Sequence, residues 1–431
     1  MTRTTEAGLL TGAAVIAAFG IVLVNLAGDE TINAQVGLSF LTFLLAFAGI
    51  HFAIRLWAPS ATPLLLPPAA LLSAIGMVMI YRLDPERASL QRWWLLIAAA
   101  AAALLLALIH ERGVALFRRY RNLVLLSTVV LLLLPNLPAG GPLPIKGLEV
   151  NESRLWILID MGFTQLQFQP AEVAKLGFVL FLAAYLADHQ NALVSAQRKL
   201  GPISFPEPRE LLPLALVWAG SVFILVAQRD LGASVLLFGT FVLLLYAATG
   251  GIGYLVGGGL LTLLGGLAAW RLFGHVQTRI TAWLDPWSDL DGAGYQTIQG
   301  LFAMGSGSIA GAGPGLGRPD LIPVADTDLI FAAIGEELGF AGSVAILCAF
   351  ALLISVGFGV SLRSRDRFRK LTAAGITVLL AVQTFLIIGG VVRVVPLTGI
   401  TLPFVSYGGS ALVGNFIMLA VLARISDEEQ Q

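Results

Sequence analysis

The chain has 431 residues, of which 57% are hydrophobic and only 12% are charged, and its mean hydropathy is +0.86. This composition is far more apolar than that of a soluble domain and is typical of a polytopic membrane protein. Basic and acidic residues balance at 26 each. No basic cluster is interleaved with aromatic residues, which argues against a nucleic-acid partner. The single cysteine, Cys348, can form no internal disulfide.

Long apolar segments recur along the whole chain. A helix needs about 20 such residues to cross a hydrocarbon core roughly 30 Å thick. Twelve segments meet this requirement, centred near 9–27, 36–54, 63–80, 93–109, 122–136, 172–187, 211–227, 231–249, 252–270, 331–358, 371–392 and 404–423. The first lacks a small-residue cleavage site, so it is predicted to be a retained helix. We therefore predict an all-α, polytopic helical bundle of about twelve spans.

Basic residues are concentrated in the loops that follow spans 2, 4, 6 and 10. They are Arg55, Arg112, Arg118, Arg119, Arg121, Arg198, Lys199, Arg209, Arg363, Arg365, Arg367, Arg369 and Lys370. The positive-inside rule places these loops and both termini in the cytoplasm. The connections 138–170, 228–230, 271–330 and 393–403 are then expected to face outward.

Several charges fall at or near membrane depth, where each costs about 2.5 to 3.5 kcal/mol against lipid. They are Glu172, Lys175, Arg229, Asp230, Glu336, Glu337 and Arg393. Glu172 and Lys175 stand three residues apart, on one helix face, and can pair. We predict that the set lines a polar cavity that opens outward. The alternative is that these residues form ion pairs and hydrogen bonds that only hold the bundle together.

The outer loop 271–330 contains DPWSDLDGAGYQ, with Asp285, Asp289 and Asp291 within seven residues. Asp285 precedes a proline and is interpreted as a turn former. Asp289 lies in a turn between Trp287 and Tyr295, so its carboxylate is a candidate general base at the mouth of the cavity.

A glycine-dense segment, 305–317, follows in the same loop. Its glycines permit backbone conformations closed to other residues, and its amides can approach a bound group. The segment lacks the Lys-Ser/Thr ending of a phosphate-binding P-loop. On its own it is more typical of a flexible surface loop than of a binding site.

Taken together, ordered blocks of the sequence resemble the SEDS family of membrane proteins, which includes RodA and FtsW. The resemblance extends from about residue 63 to residue 425. It depends on RLWI (154–157), FQPAEVAKL (168–176), AQRDLG (227–232), LDPWSDLDGAGYQ (284–296), GSGSIAGAGPGLG (305–317), DTDLIFAAIGEELGFAG (326–342) and PLTGITLPFVSYGGSALVGN (396–415). It implies a SEDS-type membrane domain over 59–425, preceded by two additional helices in 1–58 and followed by a cytoplasmic tail, 426–431.

Some positions differ from the family pattern. Asp326 stands where the family often has His before Thr-Asp, and Arg229 stands where it often has Pro. The Asn that commonly precedes the Pro-x-Thr-Gly block is replaced by Ile387 or a neighbour. The segment from Gln383 to Ser410 is closer to RodA-like elongation enzymes than to FtsW.

The resemblance implies a peptidoglycan glycosyltransferase that polymerises lipid II. In such a reaction the 4-hydroxyl of an acceptor sugar attacks a donor linked to undecaprenyl pyrophosphate. The essential loop carboxylate of the family corresponds to Asp289, the expected general base. Residues expected to contact the substrate are Arg154, Glu172, Lys175, Arg229, Asp230, Arg279, Asp328, Glu337, Arg393 and Ser406. A divalent cation (Mg or Mn) can assist such chemistry, but no ligand set with diagnostic spacing is present.

The resemblance also implies a partner, a class B penicillin-binding protein, and a multi-pass location in the bacterial cytoplasmic membrane, surrounded by membrane lipid. Two other functions stay open at this stage. One is a flippase of lipid-linked precursors, which also needs polar residues at midplane and Gly-broken helices such as 250–266. The other is a non-catalytic scaffold that recruits a cell-wall synthase.

Overall fold

The computed structural model describes residues 2–28, 34–138, 145–150, 153–160, 165–195, 197–200, 203–206 and 208–430. The helices are α1 (Arg3–Ala27), α2 (Ala34–Trp57), α3 (Leu66–Leu83), α4 (Pro85–Ile109), α5 (Ala115–Arg119), α6 (Arg121–Leu133), α7 (Ala171–Ser195), α8 (Pro208–Ala227), α9 (Leu231–Thr249), α10 (Ile252–Leu272), α11 (Gly274–Leu284), α12 (Tyr295–Ser306), α13 (Ile330–Arg363), α14 (Arg367–Val391) and α15 (Gly409–Glu428). Short 3₁₀ turns occupy Leu134–Asn136, Pro286–Ser288 and Pro319–Leu321.

Within the described residues, nine of these helices are long and apolar enough to cross a membrane: α1, α2, α3, α4, α9, α10, α13, α14 and α15. Two shorter apolar stretches lie at Arg121–Asn136 and Ala215–Val226. Each of the twelve segments predicted from hydropathy lies largely within a helix. The prediction of an all-α, polytopic membrane protein is therefore confirmed.

Helix ends follow local chemistry. At the start of α9, the Asp230 carboxylate accepts the N–H of Ala233 at 2.9 Å. At its end, Gly250 adopts φ 68°, the left-handed conformation that commonly terminates helices. Helix α13 is interrupted at Gly339, whose φ of 68° and ψ of −167° are not helical.

The connection after α6 contains strands, which the sequence analysis did not predict. Strands β1 (Ile145–Val150), β2 (Ser153–Asp160) and β3 (Gln165–Phe168) form an antiparallel sheet in the order β1-β2-β3. Ile145 pairs with Ile159, and Ile157 pairs with Phe168. A second hairpin pairs β4 (Gln197–Leu200) with β5 (Ile203–Pro206).

The chain divides into two compact units. The first comprises 1–107, 265–356 and 383–423. Its core contains a run of rings in which Phe47 packs on Phe43 at 4.6 Å and on Phe416 at 5.6 Å. Helix α2 is thereby packed against α15.

The second unit comprises 108–264, 357–382 and 424–431. Its helices approach closely where side chains are small: Gly177 lies against Thr128, and Gly375 lies against Val179. Close approach through small residues is typical of packing between membrane helices.

Candidate functional site

A cavity of about 290 Å³ lies in the first unit. Its wall combines the end of α11, the turn that precedes α12, the segment before α13 and the chain that follows α14. The lining residues are Thr278, Arg279, Ala282, Trp283, Gly292, Ala293, Gln296, Thr297, Asp328, Gly390, Arg393, Val395, Leu397 and Gly399. Two guanidiniums, one carboxyl and several neutral polar groups therefore surround one space.

Arg393 and Trp283 hold two walls of the cavity together. Arg393 donates from Nε to the carbonyl of Trp283 at 2.9 Å, and from Nη2 to that of Leu284 at 3.0 Å. In return, the Trp283 indole N–H donates to the Arg393 carbonyl at 3.0 Å. Arg393 itself adopts φ 62°, a conformation that non-glycine residues rarely adopt. The orientation of this guanidinium is thus fixed by reciprocal hydrogen bonds.

Arg279 is anchored to the same chain segment. Its Nη1 donates to the carbonyls of Thr398 at 2.8 Å and Leu397 at 3.2 Å. The next residue, Gly399, has φ 72°. A Cβ at Gly399 would lie 3.1 Å from Nη2 of Arg279 and 3.6 Å from Oδ2 of Asp328. Glycine therefore keeps the space between this guanidinium and this carboxyl open.

Asp328 is the carboxyl in the cavity wall. Burial raises the pKa of Asp328 to about 6, although the positive charge of Arg279 acts in the opposite direction. This carboxyl is therefore ionised at neutral pH and takes up a proton only slightly below it.

Ser406 and Tyr407 hold the segment that carries Asp328. The Ser406 hydroxyl donates to the carbonyl of Thr327 at 2.7 Å and accepts the N–H of Leu402 at 2.9 Å. The N–H of Tyr407 donates to the carbonyl of Asp326 at 2.8 Å. Ser406 is buried and lies outside the cavity lining, so in this structure it positions its neighbours.

Asp289 lies beside the cavity, in the turn that leads into α12. Its side chain is exposed, and its Oδ2 accepts the N–H of Ala293 at 2.8 Å. Its carbonyl accepts the N–H of Gly294 at 3.0 Å. Gly292 packs so closely on this carboxylate that a Cβ there would collide with it. Since Gly292 and Ala293 both line the cavity, the carboxylate sits at the edge of the space that they enclose.

Glu337 organises the glycine segment 305–317. This buried carboxylate accepts Nε–H of Arg82 at 3.0 Å and the N–H of Gly315 at 3.0 Å. The N–H of Gly313 donates to the Glu337 carbonyl at 3.0 Å. Glu336 next to it accepts the N–H of Arg318 at 2.8 Å. The segment is therefore docked on α13, and these amides are already engaged within the protein.

The remaining predicted residues belong to the second unit. The buried Lys175 and Glu172 pair with each other at 2.7 Å, and Asp230 caps α9. Arg154 is exposed on β2 and pairs with Glu149 at 2.9 Å. Arg229 is exposed, with φ 63°.

Sequence reasoning missed the arginines of the YRLDPER stretch (81–87), where α3 ends and α4 begins. Arg82 binds Glu337, and Arg87 pairs with Asp326 and lies over the Tyr407 ring. The signal was available, because this short stretch carries four charged residues. Hydropathy places it in a loop and so gives no reason to single it out.

The described part of the chain contains no group of three or more His, Cys, Asp or Glu side chains arranged to hold a metal ion.

The chain matches a known protein family. The model for FtsW, RodA and SpoVE, described as a cell cycle protein, matches residues 63–431. The peptidoglycan glycosyltransferase RodA of Mycobacterium tuberculosis is 41% identical over 435 residues, covering 98% of this chain and 90% of that protein. Stage V sporulation protein E of Bacillus subtilis is 35% identical, covering 66% of this chain and 74% of that protein.

Solved structures share the fold. One, described as "Structural coordination of polymerization and crosslinking by a peptidoglycan synthase complex", has a TM-score of 0.67 and 26% identity, covering 86% of this chain and 99% of the other. The rod shape determining protein RodA of Thermus thermophilus has a TM-score of 0.58 at 23% identity, covering 86% of this chain and 98% of that one.

Proposed function

The chain belongs to the FtsW, RodA and SpoVE family and is RodA-like, and from this premise we propose that it polymerises lipid II into glycan strands with Asp289 as general base. It is a peptidoglycan glycosyltransferase. The observation that carries the assignment of the site is the cavity whose wall includes Gly292 and Ala293, directly beside Asp289.

The base is needed because a sugar hydroxyl at neutral pH is a poor nucleophile. In the proposed reaction the acceptor 4-hydroxyl attacks the anomeric carbon of the donor, and its proton passes to the Asp289 carboxylate. The bond from the anomeric carbon to the pyrophosphate oxygen breaks, its electron pair leaves with that oxygen, and the configuration inverts. A well-placed base commonly contributes about 10² to 10⁴ in rate.

Arg279 and Arg393 are the proposed partners of the leaving pyrophosphate. Both guanidiniums line the cavity, and both are oriented in advance by hydrogen bonds to backbone carbonyls. Preorganised donors of this kind stabilise developing negative charge without having to reorient during the reaction. Asp328 lies in the same wall, and its negative charge interacts electrostatically with Arg279.

Other predicted contacts have a different role in this proposal. Glu172 and Lys175 satisfy each other, Asp230 caps a helix, and Glu337 binds Arg82 and the glycine segment. These contacts support structural roles, so the proposed substrate contacts are restricted to Arg279, Asp328 and Arg393.

The chain is a multi-pass integral membrane protein. We place it in the bacterial cytoplasmic membrane, with both termini in the cytoplasm, because its basic loops fall on one side of the predicted topology. A class B penicillin-binding protein is the proposed partner. The similarity to a structure described as a complex that coordinates polymerization and crosslinking supports this choice.

Purified full-length protein supplied with lipid II, with and without the partner, tests the function. Glycan strands resolved on a gel are expected, and Asp289→Ala is expected to abolish them while the protein stays folded. Movement of a lipid-linked precursor across liposomes by both proteins, with no glycan product from either, would establish the flippase instead.

A further inference from the structure

The helical hairpin α1–α2 precedes the residues matched by the family model, which begin at 63. It nevertheless makes specific contacts with the matched part of the first unit. Gly20 of α1 lies directly against Val78 of α3. One helical turn or so further on, the hydroxyl of Tyr81 donates to Oδ1 of Asn25 at 2.9 Å, with both residues buried. The end of α1 is thus fixed to the end of α3.

Helix α2 is held in a similar way. Arg92 of α4 is buried and donates to the hydroxyl of Ser39 at 2.9 Å and to Oε1 of Gln35 at 2.6 Å. A buried guanidinium must keep such partners, because an unpaired one is costly in an apolar surrounding. The hairpin is therefore joined to the rest of the unit by polar contacts as well as by apolar packing.

The end of α1 also touches the glycine segment. Gly315 has φ 82°, and a Cβ there would lie 2.7 Å from Cβ of Ala27 and 3.1 Å from Cα of Val24. On its other side, the Gly315 N–H donates to Glu337. Gly315 is thus confined between α1 and α13, at a place where only glycine fits.

Arg82 of α3 connects that helix to both α13 and the glycine segment. It follows Tyr81 in the sequence, binds Glu337 through Nε and donates from Nη2 to the carbonyl of Gly317 at 3.1 Å. The hairpin therefore reaches the glycine segment directly through Ala27 and indirectly through α3.

Both ends of the glycine segment lead to the cavity. On the N-terminal side is α12, whose Gln296 and Thr297 are in the cavity wall. On the C-terminal side the chain runs to Asp328, also in the wall. Displacement of the segment would therefore move two walls of the cavity at once.

We propose that the hairpin α1–α2 is a positioning element for the cavity, and that the contact of Ala27 with Gly315 seats the glycine segment. The effect on catalysis rests on the function proposed above, whereas the seating itself does not. The hairpin thereby acquires a role in the reaction, although it contributes no residue to the cavity lining.

The test enlarges Ala27 in the full-length chain. Ala27→Leu adds bulk where Gly315 leaves no room, and overpacking of this kind is expected to speed amide hydrogen exchange in the peptide that covers 311–317 roughly tenfold. Ala27→Ser keeps the size and should exchange like the parent. Leu26→Phe adds bulk one residue away, on a side chain that is 57% exposed, and should also leave exchange unchanged.

Polymerisation is measured on the same proteins. Ala27→Leu is expected to lower kcat about ten- to a hundredfold, because small misplacements of a site cost rates of this order. The KM for lipid II should change less than kcat does, since two of the three proposed substrate contacts, Arg279 and Arg393, are anchored to other segments. If Ala27→Leu does not fold, Tyr81→Phe, which removes only the bond to Asn25, is expected to shift both readouts in the same direction by a smaller factor.

Unchanged exchange in 311–317 for both Ala27→Leu and Tyr81→Phe would overturn the proposal, as would equal effects from Leu26→Phe. Faster exchange with full activity would overturn the role in catalysis. If the parent protein makes no glycan at all, the proposed function fails, and hydrogen exchange still decides whether the hairpin seats the segment.

Discussion

Replacing Asp289 by Asn separates the chemistry of this carboxylate from its structural role. The Asp289 side chain accepts the N–H of Ala293 at 2.8 Å, and an amide oxygen of the same shape can accept that bond equally well. The close packing of Gly292 on this side chain is also preserved, because Asn is isosteric with Asp. The turn before α12 should therefore survive the substitution, while the ability to take a proton is lost.

The expected loss in rate follows from that role. Removal of a general base costs about 10² to 10⁴ in kcat, equivalent to about 3 to 5 kcal/mol of transition-state stabilisation. Folding stability should change little, by less than about 0.5 kcal/mol, because this exposed side chain keeps its hydrogen bond. Asp291→Asn is the matched control, since Asp291 is exposed in the same turn and should leave the rate near that of the parent.

The assay is polymerisation of lipid II by the purified full-length protein, with thermal unfolding in detergent as the measure of folding. A stable Asp289→Asn protein that retains more than roughly one tenth of the parent rate would refute the assignment of the base. Equal losses of rate in Asp289→Asn and Asp291→Asn would show instead that the rate depends on the negative charge of the turn. In that case Asp289 would not be a specific proton acceptor.

Three further changes probe the surroundings. The KM for lipid II is expected to fall as the pH is lowered through about 6, because the pKa of Asp328 is about 6 and its protonation removes the negative charge that opposes Arg279 and Arg393 in the cavity wall; in Asp328→Asn this pH dependence should disappear. Gly399→Ala should raise the KM for lipid II, because a Cβ 3.1 Å from Arg279 displaces the guanidinium and the left-handed backbone adds about 1 to 3 kcal/mol of strain. Glu337→Ala should destabilise the protein by about 3 to 5 kcal/mol in thermal unfolding, since Arg82 loses its buried partner, whereas Ala in place of the exposed Asp320 should not.

Helices were predictable where their ends carry local signals. Helix α9 begins at Leu231 and ends at Thr249, the bounds predicted from hydropathy, and Asp230 and Gly250 cap its two ends at the limits of the apolar segment. Helix α4 begins at Pro85, about two turns before the predicted span at 93–109. Its first turns carry Glu86 and Arg87, and hydropathy detects only the part that is apolar enough for lipid.

Contacts between distant segments were harder to predict. Glu337 was singled out because a carboxylate in an apolar helix requires compensation, but its partners Arg82 and Gly315 are fixed by the packing of α3 and the glycine segment on α13. The strands β1 to β3 were missed because they are short and their pairing depends on partners along the chain. Asp289 was a candidate base from its place in a turn between two aromatic residues, and the family resemblance then singled it out among the carboxylates of the loop.

Arg279 and Arg393 keep their full positive charge available to a ligand in the cavity. The hydrogen bonds that orient Arg279 and Arg393 go to backbone carbonyls, which are neutral, so they fix each guanidinium without cancelling its charge. With Asp328 ionised, these three residues contribute two positive charges and one negative charge to the wall. An entering pyrophosphate would therefore meet a net positive field and donors already in place, and binding of lipid II should weaken as salt screens that field.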